Sequence, residues 1–365
     1  GLYCVYLLML IILFFFFCSC LMAYIEDLLP KKYLYQVFIL FGVCLILMCG
    51  LKEIGLDPDS ENYANSFRNY YSDKTQESVE FTFIIISAIL NFFTDDAHIL
   101  FLFYAIIGVT LKMYALTKFN SNHFFLLLVA YLSYYYVVQD MMQIRTGAMT
   151  AFLLLAIKAI CDDRRWMALL LVVIGSCFHI SGILLLPFLF LRNKPFTLIT
   201  GSIWTIMVVG ALLLSAKGGN IMDILQYIPY VGDKMAIYQK AADIGTSQST
   251  INGFGVFHVA SVLVFLYLMV MSRVVTEEDK YFPYLMRLYA IGLISYTMLG
   301  FIPDLGARVS HLFRIVSIML IADVMYTLRP RWAGILCSQT IALFYLNYEL
   351  QFIQFALLWK TAGGN

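Results

Sequence analysis

Long apolar blocks separated by short polar breaks follow one another along the whole chain. The blocks lie at 2–23, 33–51, 81–93, 98–117, 123–138, 144–161, 166–178, 180–191, 196–216, 254–272, 282–302, 309–328 and 332–346. A helix that crosses a bilayer needs about 20 apolar residues. The pattern therefore predicts an all-α fold, a polytopic helical bundle integral to a membrane with about 11–14 membrane helices. We expect it to form one domain over residues 1–365.

Two longer polar segments, 52–80 and 217–253, interrupt this pattern. Basic residues instead concentrate in short breaks, at Lys31 and Lys32, Arg164 and Arg165, Arg192 and Lys194, Arg273 and Lys280, and Arg329 and Arg331. Short cytoplasmic loops of membrane proteins carry an excess of Lys and Arg. We therefore expect these breaks to face the cytoplasm and the two long segments to be extracytoplasmic loops.

One apolar block is too short to cross. If 52–80 lies outside and Arg164 lies inside, an odd number of crossings separates them, yet four apolar blocks do. The 13 residues of block 81–93 would reach only about 20 Å as a helix, against a core of about 30 Å. We expect this block to be re-entrant or to lie at the interface.

Composition and charge narrow the class of protein further. Hydrophobic residues make up 62% of the chain and charged residues 13%, compared with about 25% charged in a soluble domain. The mean hydropathy is +0.83. With 24 basic and 23 acidic residues the formal charge is +1, so the chain lacks the excess of positive charge that is typical of nucleic-acid-binding proteins. Lys112 and Lys158 lie inside apolar blocks near predicted cytoplasmic ends, where snorkelling or ion pairing accounts for them.

The chain also lacks several motifs that carry known chemistry. It has no glycine-rich phosphate loop, no His-Glu-x-x-His, no Gly-x-Ser-x-Gly and no EF-hand loop. Nucleotide-driven transport within this chain is therefore excluded. We expect no cofactor and no metal site.

The first polar group of interest lies in the acidic segment after the second apolar block. Asp59, Tyr63 and Phe67 are spaced four apart, which on a short helix places them on one face. Polar groups in a membrane protein are costly and are candidates for function. Substrate contact is one interpretation of Asp59, and capping of the helix N-terminus is the other.

Arg145 opens the block at 144–161, at its outer end. A guanidinium is permanently charged, and its planar fork suits phosphate oxygens. Arg145 is therefore a candidate ligand for a phosphate group. The alternatives are an interfacial arginine that snorkels to lipid headgroups and an ion pair with Asp140.

His179 lies between the short blocks 166–178 and 180–191, which we expect to form a tilted hairpin with His179 near its outer tip. Imidazole exchanges a proton near neutral pH, so His179 is a candidate base. Ser181 follows it closely and allows the backbone to bend. A hydrogen-bonded structural histidine is the alternative.

Arg308, His311 and Arg314 lie three residues apart at the outer start of a late helix. Residues at this spacing lie roughly on one side of a helix, so the three could converge on one cavity. Two arginines and a histidine make an anion site plausible. The alternative is contact with the bilayer surface, where arginine is common.

Four short motifs occur in an order that resembles the EpsG-type family of membrane polysaccharide polymerases, relatives of the Wzy O-antigen polymerases. They are the acidic loop with Asp59 and Tyr63, Ile144-Arg145 at the start of a middle helix, Phe178-His179-Ile180-Ser181 after basic residues, and Arg308-Val-Ser-His-Leu-Phe313 late in the chain. The resemblance covers about residues 52–320. Two departures are that Lys52 stands where the family usually has Arg, and that Gly55 lies four rather than two residues before Asp59.

The resemblance implies a fold similar to the membrane-embedded GT-C glycosyltransferases, with a site at the outer face of a bacterial inner membrane. The implied catalytic residues are His179, Arg145 and Arg308, and the implied substrate-binding residues are Asp59, Tyr63 and Ser181. His311 and Arg314 join the second set through their position beside Arg308.

The implied reaction joins a glycan carried on polyprenyl pyrophosphate to the non-reducing end of a second lipid-linked repeat, with inversion at the anomeric carbon. Since arginines can neutralise the leaving pyrophosphate, no metal is required. The implied partners are lipid-linked oligosaccharides, membrane lipid and a chain-length-regulating membrane protein. A lipid-linked glycan ligase, a non-enzymatic flippase and an acyltransferase on sugar hydroxyls stay open as alternatives, although we find no paired motif for the acyltransferase.

The asymmetry of Lys and Arg makes the topology testable. Single cysteines at Ser72 and Gly245, in a cysteine-free background, should react with a membrane-impermeant thiol reagent in intact spheroplasts. A cysteine at Arg164 should not react, because its break is expected in the cytoplasm. Labelling of the cysteine at Arg164, but of neither other cysteine, would show that the topology is the reverse of the one expected.

Overall fold

The computed structural model describes residues 2–57, 59–221, 223, 255–300 and 303–361. Every regular element within these residues is a helix, which confirms the expected all-α fold. The loop expected over 217–253 lies mostly outside the described residues.

The α-helices follow one another with short connections in most places. They are α1 (Leu2–Ile25), α2 (Lys31–Leu51), α3 (Ser60–Arg68), α4 (Asp73–Ser78), α5 (Phe81–Asn91), α6 (His98–Phe119), α7 (Phe124–Leu132), α8 (Ile144–Cys161), α9 (Arg165–Phe178), α10 (Leu198–Ala216), α11 (Val256–Val270), α12 (Ser272–Glu278), α13 (Phe282–Met298), α14 (Pro303–Arg314), α15 (Ser317–Asp323) and α16 (Arg331–Thr361). A π-helix spans Tyr136–Met142, and 3-10 helices span Glu26–Leu28, Ile180–Phe190 and Val324–Thr327.

The described helices support a multi-pass membrane protein. Five of them, α1, α2, α6, α8 and α10, are long and apolar enough to cross a membrane, and three bent helix pairs raise the number to eight. Three shorter apolar helices account for further blocks of the expected 11–14, namely α5, α9 and the 3-10 helix Ile180–Phe190. The chain forms two compact units, Gly1–Leu191 with Ile321–Asn365, and Arg192–Leu320.

In the first unit α6 lies at the centre, between α2 and α8. The far side of α8 packs against α9, while α1 packs against α7 and α16. The block predicted at 144–161 coincides with α8. Since α6 and α8 are flanked by other helices, much of their surface is buried, and this accounts for their lack of a clear polar face.

A sharp break precedes α8. Helix α7 and the π-helix Tyr136–Met142 meet at 69°, and the chain then turns at Gln143, whose φ and ψ are −95° and 66°. π-helices are rare and are frequently found at functional sites. Irregular backbone at membrane depth requires surrounding protein. Residues 136–141 are all buried, so this requirement is met.

The short blocks form short helices. Helix α5 has 11 residues and is about 16 Å long, too short to cross the bilayer core, in agreement with the sequence expectation. Helix α9 ends at Phe178, and the 3-10 helix Ile180–Phe190 follows after one extended residue, His179. The two helices contact each other, as expected for a hairpin. The second is a 3-10 helix that contains Pro187, which cannot donate a backbone hydrogen bond.

The second unit is organised around α13, which packs against α10, α11 and α14. Helix α10 begins with a capping box formed by Thr197 and Thr200. Helix α14 approaches α13 closely at Gly292, where a Cβ would lie 2.5 Å from Arg314 Cγ. A side chain at position 292 would therefore displace Arg314.

A buried ion pair links α6 to the π-helix. Lys112 is 0% exposed and Asp140 3%, and the Lys112 ammonium donates to both Asp140 oxygens at 2.9 Å and to the Gly147 carbonyl oxygen at 2.7 Å. The Tyr131 hydroxyl donates to the same carboxylate. Ion pairing therefore accounts for Lys112, and Lys158 likewise pairs with Asp162.

The two lysine pairs should differ strongly in stability. We expect Lys112→Ala to lower the free energy of unfolding by about 3–5 kcal/mol, because it leaves the Asp140 carboxylate buried without its counter-ion. Lys158→Ala should cost at most about 1 kcal/mol, because that pair is partly exposed. Thermal unfolding of the detergent-solubilised variants measures both. Equal losses of stability in the two variants would show that the ion pair between Lys112 and Asp140 does not stabilise the helix break before α8.

Candidate functional site

The loop before α3 is anchored by a second buried lysine. The Lys52 ammonium contacts Asp57 Oδ2 at 2.5 Å and also donates to the Met141 carbonyl oxygen in the π-helix. Asp57 Oδ1 accepts the backbone N–H groups of Ser60 at 2.9 Å and Asp59 at 3.2 Å. Asp57 thus caps α3 and ties its N-terminus to the π-helix.

Asp59 does not cap α3, so that explanation of the residue was wrong. It occupies the N-cap position, yet its side chain makes no capping hydrogen bond. The role belongs to Asp57, which lies two residues after Gly55. Gly55 has a φ of +97°, which a residue with a side chain rarely adopts.

Tyr63 and Phe67 place one face of α3 against the apolar core of the first unit. Phe67 is fully buried there, and the Tyr63 ring lies 6.3 Å from Phe83 and 6.5 Å from Phe101 between centroids. Burial raises the pKa of the Tyr63 phenol, and the positive charge of the nearby Arg145 guanidinium counteracts this only in part. Tyr63 therefore stays protonated and keeps a hydroxyl that can hydrogen bond to a ligand.

Arg145 lies in the first turn of α8, beside Tyr63. The guanidinium carbon is 5.8 Å from the centroid of the Tyr63 ring, and Nη1 forms an ion pair with Glu80 Oε2. The expected alternative, a pair with Asp140, was wrong because Asp140 is held by Lys112. The Nε–H of Arg145 is buried and donates to no atom of the described residues. Arg145 therefore retains a donor for a ligand.

Glu80 brings the Arg145 side chain and the His179 turn together. Its Oε2 pairs with Arg145, and its Oε1 accepts the backbone N–H of Ile180 at 3.2 Å. The adjacent Thr82 hydroxyl donates to the Cys177 carbonyl oxygen at 2.5 Å, which fixes α5 against the end of α9. One carboxylate thus links residues 80, 145 and 180, which are distant in the sequence.

His179 occupies the turn itself, with φ of −154° and ψ of 127°. Its Nδ1 accepts the backbone N–H of Ser181 at 3.2 Å and lies 2.7 Å from the Ser181 hydroxyl. A backbone amide can only donate, so Nδ1 carries no proton, and in the neutral ring the proton is on Nε2. The His179 side chain therefore caps the 3-10 helix that begins at Ile180.

A buried hydroxyl lies in the same cluster. Tyr104 packs edge-on against Phe178 at 6.1 Å and tilted against Phe83 at 6.3 Å between centroids. Its hydroxyl is buried and hydrogen bonds to none of the described residues. Buried polar groups are normally satisfied, so the Tyr104 hydroxyl is available to hydrogen bond to a ligand or to water.

The second unit carries the late cationic cluster. Arg314 is 3% exposed, its Nη2 donates to the Ser261 hydroxyl at 2.6 Å, and its guanidinium lies 4.9 Å from the centroid of the Phe257 ring. Arg308 is exposed and His311 is half-buried. These residues occupy the middle and the end of α14 instead of its start, which corrects their expected position. A common cavity for them stays a prediction.

His258, on α11, was not singled out by the sequence. It is 2% exposed, stacks on Tyr296 with ring centroids 4.5 Å apart, and its Nδ1 has no hydrogen-bond partner among the described residues. Glu80 was also missed, since it was counted only as part of an acidic loop. The sequence signal for Glu80 was its position as a carboxylate directly before the apolar block 81–93.

The first unit therefore brings together Tyr63, Glu80, Arg145, His179 and Ser181, with Asp59 one helical turn before Tyr63. Arg308, His311 and Arg314 belong to the second unit. Within the described ranges, no three His, Cys, Asp or Glu side chains are placed to hold a metal ion. The cluster in the first unit offers an arginine, two carboxylates, a ring N–H, a serine hydroxyl and a phenol, which suits binding of an anion next to a hydroxylated ligand.

The fold and this cluster define a polytopic membrane protein with a polar site at the ends of its helices. The chain belongs to the EpsG family, whose model matches residues 34–361. It is similar to the amylovoran biosynthesis protein AmsC of Erwinia amylovora, with 23% identity over 333 residues that cover 87% of this chain and 86% of AmsC. No solved structure matches the chain.

Proposed function

We propose that this protein is an exopolysaccharide polymerase, a membrane-embedded glycosyltransferase. It joins oligosaccharide repeats carried on polyprenyl pyrophosphate, at the outer face of the bacterial inner membrane, with inversion and without a metal. The observation that carries the proposal is Arg145, mostly buried, with an unused Nε–H and with a carboxylate that links it to the His179 turn. Membership of the EpsG family and the likeness to AmsC, named for amylovoran biosynthesis, support the polysaccharide class.

Arg145 suits the leaving group. Cleavage of the bond between sugar and pyrophosphate places charge on the pyrophosphate oxygens, and a preorganised guanidinium stabilises that charge best where water is excluded. Arg145 lies at the N-terminus of α8, where the helix dipole also favours an anion. In the proposed site its fork binds the pyrophosphate.

The neighbouring groups suit the sugars. Tyr63 presents an aromatic ring and a protonated hydroxyl, and Asp59 lies one turn before it on α3. His179 and Ser181 flank Ile180, whose backbone N–H binds the Glu80 oxygen that Arg145 does not. We assign Asp59 and Tyr63 to sugar binding and the His179 turn to the acceptor hydroxyl.

The cations of the second unit receive a separate assignment. Arg308 is exposed in the middle of α14, and Arg314, the last residue of that helix, contacts Ser261 and Phe257. We assign Arg308, with His311 and Arg314, to a phosphate group of a lipid-linked substrate. A chain-length-regulating membrane protein and membrane lipid are the partners proposed with this function.

Purified protein in lipid nanodiscs, supplied with lipid-linked repeats, tests the function directly. We expect a ladder of products that differ by one repeat, with growth unaffected by EDTA. A product of one fixed length would instead show a ligase. Binding of the lipid-linked repeat without any new glycosidic bond would show a flippase. Loss of the ladder in EDTA and its return with a divalent cation would contradict metal independence.

A charge-conserving change separates an arginine that binds pyrophosphate from one that anchors the protein in the bilayer. Lysine can substitute for an arginine that only anchors the helix at the membrane surface, but it lacks the planar guanidinium that binds two oxygens at once. A lost charge-assisted hydrogen bond is worth about 1.5–3 kcal/mol. We therefore expect Arg145→Lys and Arg308→Lys to slow polymer formation by roughly 10- to 150-fold at normal membrane levels.

Lys158→Arg is the matched control, because it also exchanges one cation for the other but lies at the C-terminal end of α8. It should leave polymer formation unchanged. Polymer yield per unit of membrane protein measures all three variants. Near-normal yield from both Arg→Lys variants would show that these residues are anchors.

A further inference from the structure

We propose that Glu80 is the catalytic base of this transfer and that His179 acts as a hydrogen-bond donor beside it. The inference rests on the proposed polymerase function. Its starting point is the position of Glu80, whose two oxygens bind the Arg145 guanidinium and the Ile180 backbone N–H. Glu80 is therefore the carboxylate of the described site that touches both the group assigned to the leaving pyrophosphate and the turn assigned to the acceptor.

The hydrogen bonds of His179 argue against a base at that residue. A neutral imidazole takes up a proton at the nitrogen that has none, and in His179 that nitrogen is Nδ1. Nδ1 already accepts the Ser181 N–H at 3.2 Å, inside the turn. The other nitrogen, Nε2, carries the proton and can only donate. His179 is thus suited to orient an acceptor oxygen, and a second group must take its proton.

Binding of the donor exposes the carboxylate. Without substrate, Arg145 neutralises Glu80. A pyrophosphate brings more negative charge to the same guanidinium and competes with the carboxylate for it. Glu80 then loses part of its ion pair while Ile180 still holds its other oxygen in place. The base is therefore free to accept a proton only when the donor is bound.

The step balances without any further reactant. The acceptor hydroxyl transfers its proton to a Glu80 oxygen, and the acceptor oxygen forms a bond to the anomeric carbon. The bond from that carbon to the pyrophosphate oxygen breaks, and its electron pair leaves on the pyrophosphate. Release of the pyrophosphate restores the Arg145 pair, and the carboxyl group returns its proton to water.

Glu80→Gln separates a base from a residue that only positions Arg145. The amide oxygen can still accept the Ile180 N–H, but the side chain can no longer take a proton or compete for Arg145 with a full charge. We expect glycosyl transfer to fall by at least about 100-fold. Undecaprenyl pyrophosphate, used as the probe, should bind at least as tightly as to the wild type.

A structural role predicts a different pair of results. If Glu80 only holds Arg145 in place, transfer and binding of the probe should weaken together, and that result would overturn the proposal. Retention of more than about a tenth of the transfer rate would overturn it as well. Glu77→Gln is the matched control, since it removes an exposed carboxylate of the same segment and should change neither quantity.

The pH dependence of the rate tests the proposal without any change at Glu80. The ionisable groups that interact with Glu80 from the neighbouring helices are Tyr63, Tyr104 and Arg145, with Asp59 beside Tyr63 and His179 in the turn that Glu80 contacts. A carboxylate base loses activity as it is protonated, so the rate should fall at acidic pH. His179→Gln should be slower yet keep this acidic fall. Its disappearance in His179→Gln would make His179 the base, and this comparison decides the question if Glu80→Gln does not accumulate.

Failure of this inference differs from failure of the proposed function. If wild-type protein forms no glycosidic bond from lipid-linked repeats, the polymerase proposal itself is wrong. If the wild type forms the product ladder and Glu80→Gln does too, only the assignment of the base is wrong.

Discussion

The position of the site depends on the ion pair between Lys112 and Asp140. Both charges lie in the middle of apolar helices, where an unpaired charge would be very costly. Tyr131 and the Gly147 carbonyl oxygen complete the network, so it joins α6, α7, the π-helix and the start of α8. A Cβ at Gly108 would lie 2.3 Å from Asp140 Oδ1, which shows that α6 must present a glycine for the pair to form.

The same pair fixes the break at Gln143. On one side Asp140 is held by Lys112, and on the other the Met141 carbonyl oxygen accepts from Lys52. A π-helix held by two buried lysines cannot run straight into α8, and the new helix starts one residue later. Arg145 is therefore presented in the first turn of α8, where the helix dipole and its own charge both attract an anion. The buried ion pairs set the geometry of the arginine that we assign to the pyrophosphate.

Local sequence patterns predicted many of these helices and their boundaries. Block 144–161 coincides with α8 because its apolar run is bounded by polar residues, and His179 interrupts its hairpin as the Ser and Gly beside it predicted. Tyr63 and Phe67 pack on one face of α3, as their spacing requires. Periodicity and breakers act over a few residues and can be read from the sequence.

Contacts between distant residues could not be read in this way. Glu80 and Arg145 are 65 residues apart, and nothing near Glu80 indicates its partner. Asp59 lies at the N-cap position, yet Asp57, which is held by the buried pair with Lys52, makes the capping hydrogen bonds. The π-helix has no apolar period of its own, since its residues are buried on all sides. The exposure of Arg308 likewise depends on how α14 packs in the second unit, which its spacing to Arg314 does not determine.

In the proposed function, the arrangement of Arg145 and Glu80 also bears on how the leaving pyrophosphate is released. A permanent cation in a partly buried site would hold a pyrophosphate tightly, and tight binding of the leaving group slows turnover once the bond is broken. An adjacent carboxylate competes for the same guanidinium and lowers that affinity. In the proposed cycle, Glu80 pairs with Arg145 again once the pyrophosphate has left. In the proposed mechanism Glu80 has two roles. It accepts the proton of the acceptor hydroxyl, and by competing for Arg145 it helps the pyrophosphate to leave.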